Sequence, residues 1–454
     1  MPTSPRVFAR PHGPLAVLAF PKYRRVWAMS IFFALGNWGA RLAIGWVVLD
    51  KTDSVFLAAA TFAVRQAPQL VAAPFGGAVA DRFSSGRILQ AYGIFRFIVL
   101  GLMALIAAND LEPLWAIYVL LIFAGIGGSF ELPAMQRLVT GSVPRKLRMN
   151  AVAVQSTGTR LIGAFGALAS GFAIDSLGVP ATLAGSGVLF VVGGAFAMFA
   201  SQGIDVRAQH RAGSVFRDVA DGLKMMWQLP IVRTVLVAAV AVEIFGFAFG
   251  SVMPSIARDA LGVDVKGLGT LSLMLGIGSV LGTVFLAMLG NFSRKGLLLI
   301  YIALFYGIFI STFSASGSFT IALVLIIGVG ASAAAFDAMQ WTLLQLNVPD
   351  NMRGRAIGGW SFAIGFGWGG HLGLGALSEL VGVQWALAGA GAVVVAIGLL
   401  ALTFARGLRR ACQRPSLLGQ GTPYDFGKFG ILFRDVDGCL EHSAGIAGIG
   451  VESR

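Results

Sequence analysis

Glu243 lies midway along an apolar run, Ile231 to Met253, whose interior carries no basic residue. An isolated carboxylate is costly in such surroundings, so this group either takes up and releases protons or stays neutral and hydrogen-bonded to a neighbouring helix. His371, amid Trp368, Gly369 and Gly370, has two comparable readings: an imidazole that titrates near neutral pH, or a ring that fills a packing gap. On the cationic side, Arg41 and Arg65 fall in the middle of two consecutive apolar runs. Asn37 is one helical turn from Arg41, and Gln66 and Gln69 flank Arg65, so the five can converge on one polar patch. A guanidinium presents several fixed donors, which suits an anionic or acceptor-rich ligand; the alternative is that these arginines bond helix carbonyls or reach for the interface. Arg96 and Arg160 lie nearer the ends of their runs, where reaching to the interface or pairing at a gate is expected. Clustered catalytic groups are missing from the runs, as is any glycine-rich phosphate-binding loop, so no catalytic residue, metal ion or cofactor is expected.

The elements that must position these groups are membrane helices. The chain of 454 residues is 56% hydrophobic and only 12% charged, about half the charge of a soluble domain. Roughly 20 apolar residues cross the ~30 Å hydrocarbon core. Twelve runs meet that length: Val26–Leu49, Val55–Ala80, Ile88–Ala108, Leu114–Gln136, Ala151–Ile174 and Ala181–Ser201, then Ile231–Met253, Leu268–Leu289, Leu297–Ala315, Phe319–Leu346, Ala356–Leu380 and Gln384–Ala405. The first is too long for a signal h-region and is expected to be retained. The resulting division is an N-terminal arm (1–25), a six-helix bundle (26–201), a linker (202–230), a second six-helix bundle (231–405) and a tail (406–454) without expected structure. In the linker, Val215, Phe216, Val219, Leu223, Met226 and Trp227 recur at helical spacing opposite Arg217, Asp218, Asp221 and Lys224. That predicts an amphipathic surface helix from Ser214, its N-cap, to Leu229.

The net charge of +13 is distributed by topology rather than gathered on a face. With the N-terminus placed inside, all but seven of the 34 Lys and Arg residues fall on the cytoplasmic side. The exceptions are Lys51, Arg258 and Lys266 outside and Arg41, Arg65, Arg96 and Arg160 within spans. This is the positive-inside pattern of a multi-pass protein in the plasma (inner) membrane with both termini cytoplasmic, and it argues against a nucleic-acid partner. Cys412 and Cys439 both fall in the tail, in a reducing compartment, so no disulfide is expected.

The two halves repeat. Val143-Pro144 through Arg148, then Ala151 and Ser156, aligns without a gap on Val348-Pro349 through Arg353, then Ala356 and Ser361. Phe130-Glu131 matches Phe336-Asp337, Phe83-Ser84 matches Phe292-Ser293, and Pro21 to Arg24 matches Pro230 to Arg233. Two parallel six-span repeats imply two bundles about an axis along the membrane normal, with a site between them near the midplane.

One short charged stretch between spans, Gly76 to Arg87, carries Gly77, Asp81, Arg82, Gly86 and Arg87. Its pattern of glycine, Asp-Arg and Gly-Arg resembles the loop between helices 2 and 3 of the major facilitator superfamily, with Phe83-Ser84-Ser85 adding two residues. The resemblance extends from about Tyr23 to Ala405 and is similar to the branch of enterobactin exporters and macrolide efflux proteins, on Pro133, Val143-Pro144, Asp221-Gly222-Leu223, Val348-Pro349 and Arg353-Gly354-Arg355. It implies an all-α membrane fold and a secondary transporter, not an enzyme. It also implies a cytoplasmic gate, for which Glu131 with Arg82 and Asp337 with Arg294 are the candidate pairs. The glycines of span 5, Gly158, Gly163, Gly166 and Gly171, resemble the superfamily's antiporter motif, with Ala164 in the place of its proline.

The expected function is proton-coupled efflux of an amphipathic small molecule by alternating access. Glu243 and His371 are the candidates for the proton, and Asn37, Arg41, Arg65, Gln66 and Gln69 those for the substrate cavity. The expected partners are that small molecule, protons and the lipid bilayer, with the chain monomeric. An importer of a small metabolite, or a non-transporting membrane sensor, are the alternatives.

Overall fold

The computed structural model describes residues 15–110, 113–204, 215–290, 292, 294–348 and 353–404. Expectations for most of the N-terminal arm, for Ser214 as a cap, for Pro349 to Met352 and for the tail with its two cysteines lie outside these residues, as do the side chains of Asp81, Arg353 and Arg355.

Every regular element among the described residues is helical. The first half contains α1 (Pro21–Thr52), α2 (Val55–Arg82), α3 (Ser85–Ala108), α4 (Leu114–Gly141) and α5 (Arg148–Ala200). A surface helix α6 (Val215–Gln228) follows. The second half contains α7 (Pro230–Val242), a π turn (Glu243–Phe247), α8 (Phe249–Ser255), a second π turn (Ile256–Ala260), α9 (Val265–Leu289), α10 (Lys295–Ser314), α11 (Phe319–Asn347), α12 (Arg353–Ile364), α13 (Gly367–Val381) and α14 (Val383–Phe404).

Among the described residues 10 stretches are long and apolar enough to cross a membrane, two fewer than the twelve runs expected. Two local features account for the difference. The stretch Arg145–Ala200 is 56 residues long, about 84 Å of helix and far more than one crossing needs. It reverses at Gly178, whose φ of 82° and ψ of 167° break the helical path two residues before Pro180. A left-handed φ there is open to glycine and strained for other residues. The other feature is the break between α12 and α13 at Gly365-Phe366, which divides one apolar run into two short helices.

The charged turn is also shorter than expected. α2 continues through Arg82 and α3 begins at Ser85, so only Phe83 and Ser84, both extended, separate them. The expected loop is therefore mostly the last turn of one helix and the first turn of the next. Gly86 permits a close approach, since a Cβ there would collide with Ser201, whereas a Cβ at Gly77 would meet nothing within 4 Å.

Within the first half α1 and α3 pack on α5 and α2 packs on α4; within the second, α9 packs on α11 and α10 on α11 and α14. The halves meet where α5 lies on α9 and α2 lies on α13. Small residues make these contacts possible: Gly171 abuts the backbone of Val265 and Gly269, Gly276 abuts Ala164, and Gly375 abuts Ala59. At the membrane face where α1 ends, polar bonds join the halves. Ser54 Oγ donates to Glu379. Arg258 donates to Asp53 at 2.6 Å and to the Leu49 carbonyl at 3.0 Å, and Lys266 pairs with Asp175 at 3.2 Å.

Helix α6 is not a free connector. Met226 is fully buried with Val232, Leu236, Leu344, Ala356 and Ala363, so the helix is seated on the second half, while Trp227 is 58% exposed.

Candidate functional site

The groups that can do chemistry sit on irregular backbone. Glu243 opens the π turn that interrupts α7, and such bulges re-aim side chains that a regular helix would bury elsewhere. Gly367, at the start of α13, is the residue against which Glu243 rests: a Cβ there would come within 2.9 Å of Glu243 Oε1 and 3.3 Å of Gln66 Nε2. The missing side chain at this position lets α2, the π turn and α13 converge.

At that convergence Gln66 bridges the halves. Its amide nitrogen and the Glu243 carboxylate both face Gly367, and its Oε1 lies 3.1 Å from His371 Nε2. The primary amide suits this place because it donates on one side and accepts on the other. His371 is buried, its Nδ1 has no partner, and its ring lies 5.9 Å from that of Phe62.

Beside this bridge is a cavity of about 230 Å³ between the two halves. Arg41, Trp38 and Phe62 form its wall in the first half, and Phe247, Met253 and Ser272 line it from the second. The Arg41 guanidinium lies 4.8 Å from the Phe62 ring centre and 5.5 Å from that of Trp38. Among the described residues it has no carboxylate partner, so its donors face the cavity with only ring faces to offset the charge.

The remaining buried charges fall into two groups. Arg160, which also lines the cavity, pairs with Asp337 at 3.1 Å and thereby links α5 to α11; Asp337 also accepts from Gln340 at 3.0 Å. Glu131 has the Tyr92 hydroxyl, Arg96 and Arg65 as its nearby polar groups. Arg96 is 3% exposed and stacks 4.7 Å from the Phe190 ring.

The expected gate pairs, which belong to a state with the inside shut, are not formed among the described residues of this structure. Glu131 lies ten residues before the end of α4 and Asp337 ten residues before the end of α11, about 15 Å along each axis. Arg82 and Arg294 stand at helix ends and are exposed, whereas both acids are deep enough to meet interior partners instead. The expected polar patch also divides. Neighbouring residues on a helix point about 100° apart, so Arg65 turns toward Glu131 while Gln66 crosses to Glu243 and His371. Arg41 lines the cavity; Asn37, Arg65, Gln66 and Gln69 do not, and Gln69 donates back to the Arg65 carbonyl at 3.4 Å. Arg160 is neither at a lipid interface nor at a gate end.

Sequence reasoning missed Tyr306. It is fully buried on α10, fits against Gly246 in the π turn, and carries a hydroxyl without a partner, with Glu243 and Asp337 as its nearby charges. A tyrosine amid the apolar residues of α10 reads as core, and only the π turn brings it to Glu243. Phe62 and Trp38 were missed for the same reason: their role as ring faces beside Arg41 depends on helix rotation.

A helical membrane protein with two packed halves and a polar site between them defines a class, and the comparisons supply the family. The profile described as Major Facilitator Superfamily matches residues 26–371, and the chain belongs to that superfamily of transporters. It is 22% identical over 363 residues to the multidrug efflux pump Tap of Mycolicibacterium fortuitum, covering 76% of this chain and 84% of that one. It is 27% identical over 364 residues to the enterobactin exporter EntS of Salmonella typhimurium, covering 76% and 83%. Among solved structures, a peptide transporter POT matches with a TM-score of 0.68 at 11% identity, over 89% of this chain and all of that one. A nucleoside transporter NupG matches with a TM-score of 0.62 at 15% identity, over 84% and 99%. At such identities the solved structures establish the fold alone.

Proposed function

We propose that this transporter expels an amphipathic small molecule in exchange for protons, by alternating access of the cavity between two six-helix halves in twelve crossings. The observation that carries the reading is the meeting of Glu243, Gln66 and His371 at Gly367, which places the candidate proton carrier at a contact between the halves. Protonating Glu243 removes an anion that faces the Gln66 amide where the halves meet, so proton binding and relative movement of the halves are linked. The proton leaves as the carboxylate re-ionises, and the step needs no other reactant. Arg41 faces the cavity with unused donors, which suits a substrate bearing an anionic or acceptor-rich group beside an apolar or aromatic body.

Supporting the direction are the relatives described as an efflux pump and an exporter. The positive-inside pattern supports a plasma-membrane protein with cytoplasmic termini. On that orientation the bonds of Asp53, Asp175 and Glu379 close the outer face, as expected of an inward-facing state. In this reading the chain works as a monomer, and Gly77, Asp81, Arg82, Gly86 and Arg87 act at the cytoplasmic rim.

The test is proton movement in proteoliposomes on addition of a panel of siderophores and hydrophobic drugs, comparing wild type with Glu243→Gln. The expected outcome is a ligand that drives proton flux in wild type, with binding but no flux in the variant. Undiminished flux in Glu243→Gln would overturn the role of Glu243. Ligand movement only down its own gradient, with no proton movement, would overturn exchange.

A further inference from the structure

A second cavity, larger than the one beside Arg41, lies outside the interface between the halves. It is an apolar groove of about 830 Å³ on the flank of the second half, walled by α6, α7 and α12. Leu236 and Val240 line it from α7, Phe245 from the π turn that follows and Phe362 from α12, while Lys224 and Trp227 of α6 stand at one end. Val237 and Phe245, exposed by 52% and 39%, lie on a membrane-crossing helix, so the medium against this groove is lipid.

We propose that the groove is a binding site for one anionic phospholipid, its acyl chain along α7 and its headgroup at Lys224 and Arg233. Length supports the occupant. The α7 lining runs from Leu236 to Phe245, about 14 Å at the helical rise, close to one leaflet's half of the ~30 Å hydrocarbon core. Charge supports the headgroup. Arg233 is one turn before Leu236, exposed, with its guanidinium 5.9 Å from the Trp227 ring centre, and Lys224 lines the same end. No acidic side chain lines the groove among the described residues. Indole and basic side chains on an amphipathic helix form the usual signature of the headgroup level.

The site has a consequence for the transport machinery. Its floor includes Ile244 and Phe245, the neighbours of Glu243 in the π turn, and Phe366, the neighbour of Gly367 against which Glu243 rests. A lipid chain in the groove therefore presses on the backbone that aims the carboxyl, from the side opposite Gln66.

The experiment uses the full chain in bilayers and reads quenching of tryptophan fluorescence by brominated acyl chains. Brominated phosphatidylglycerol is expected to compete for Trp227 about tenfold better than brominated phosphatidylcholine, from two basic groups near the surface. The preference should shrink as salt is raised and disappear in Lys224→Gln/Arg233→Gln and in Trp227→Phe, which leaves exposed tryptophans such as Trp115 and Trp385 to be quenched alike by both lipids. Val240→Phe, which fills the groove, should remove the part of the quenching that Trp227 contributes with both lipids. Equal quenching by the two lipids, insensitive to salt, would overturn the anionic headgroup. Displacement of neither lipid by the other, with displacement of both by a transported drug, would make the groove a substrate path and overturn the lipid site. Each outcome stands apart from proton exchange, which the flux assay reads separately.

Discussion

Glu131 and Asp337 occupy matching places in the two sequence repeats, each ten residues from the end of its helix, yet they hold different kinds of partner. Glu131 faces groups of its own half, with the Tyr92 hydroxyl, Arg96 and Arg65 nearby. Asp337 is bound across the halves, by Arg160. The tyrosines differ in the same sense: Tyr92 on α3 lies near Glu131 of its own half, whereas Tyr306 on α10 has a partnerless hydroxyl near Glu243 and Asp337. A pair inside one rigid bundle is unaffected when the bundles rock, but a pair between bundles must stretch or break. One repeat has thus kept its acid for internal cohesion, while the other presents its acid to the moving interface.

The largest effect should come from breaking the internal cluster. Glu131→Ala leaves Arg96, 3% exposed, and Arg65 without their carboxylate. Removing an opposite charge from beside a buried cation is expected to cost about 1–3 kcal/mol. The expected result is a markedly lower midpoint of thermal unfolding in detergent, with transport lost in proportion to folded protein. A midpoint equal to wild type would show that the cluster is not a cohesive element, and the contrast with Asp337 would fall.

Asp337→Asn should do the reverse, little to stability and much to conformation. The paired side chains are 41% and 33% exposed, so screening leaves the bond worth under about 1 kcal/mol. Spin labels at Met149 on α5 and Leu346 on α11, exposed by 69% and 49%, report the separation of the halves. Their distance distribution should broaden in Asp337→Asn and narrow again in the exchanged pair Arg160→Asp/Asp337→Arg. An unchanged distribution would mean the pair is not among the contacts that set the position of the halves.

Much of this architecture was legible in the chain, because its signals are local. Apolar run lengths, the repeat around Val143 and Val348, and the intramembrane placement of Arg41, Glu243 and His371 all follow from residue type and order. Partnership was not legible, because it depends on helix rotation and on where the backbone departs from regularity. Arg65 and Gln66 are adjacent in sequence yet serve different clusters, and Tyr306 reaches Glu243 only because the π turn and Gly246 admit its ring. The charged turn failed for a related reason. Asp-Arg and Gly-Arg read as loop by composition, but helical propensity carries α2 through Arg82 and restarts α3 at Ser85.

The smallest effects belong to the exposed ion pairs at the face where α1 ends, and they sharpen the same contrast. Lys51 pairs with Asp110 at 2.6 Å within the first half, whereas Arg258 pairs with Asp53 at 2.6 Å across the halves. The Lys51 ammonium holds the Asp110 carboxyl below its ordinary range. Because the folded value is the lower one, any stabilisation is present above the ordinary carboxylate range and fades as pH falls through the lowered value. The side chains are 42% and 82% exposed, so Asp110→Asn should change neither the unfolding midpoint nor the label distances measurably. Asp53→Asn should also leave the midpoint in place, but shift the distance distribution slightly, in the direction of a less closed outer face. If the two substitutions give the same distances, location across the halves is not what gives an ion pair leverage on the conformational equilibrium. The distinction drawn between Glu131 and Asp337 would then rest on burial alone.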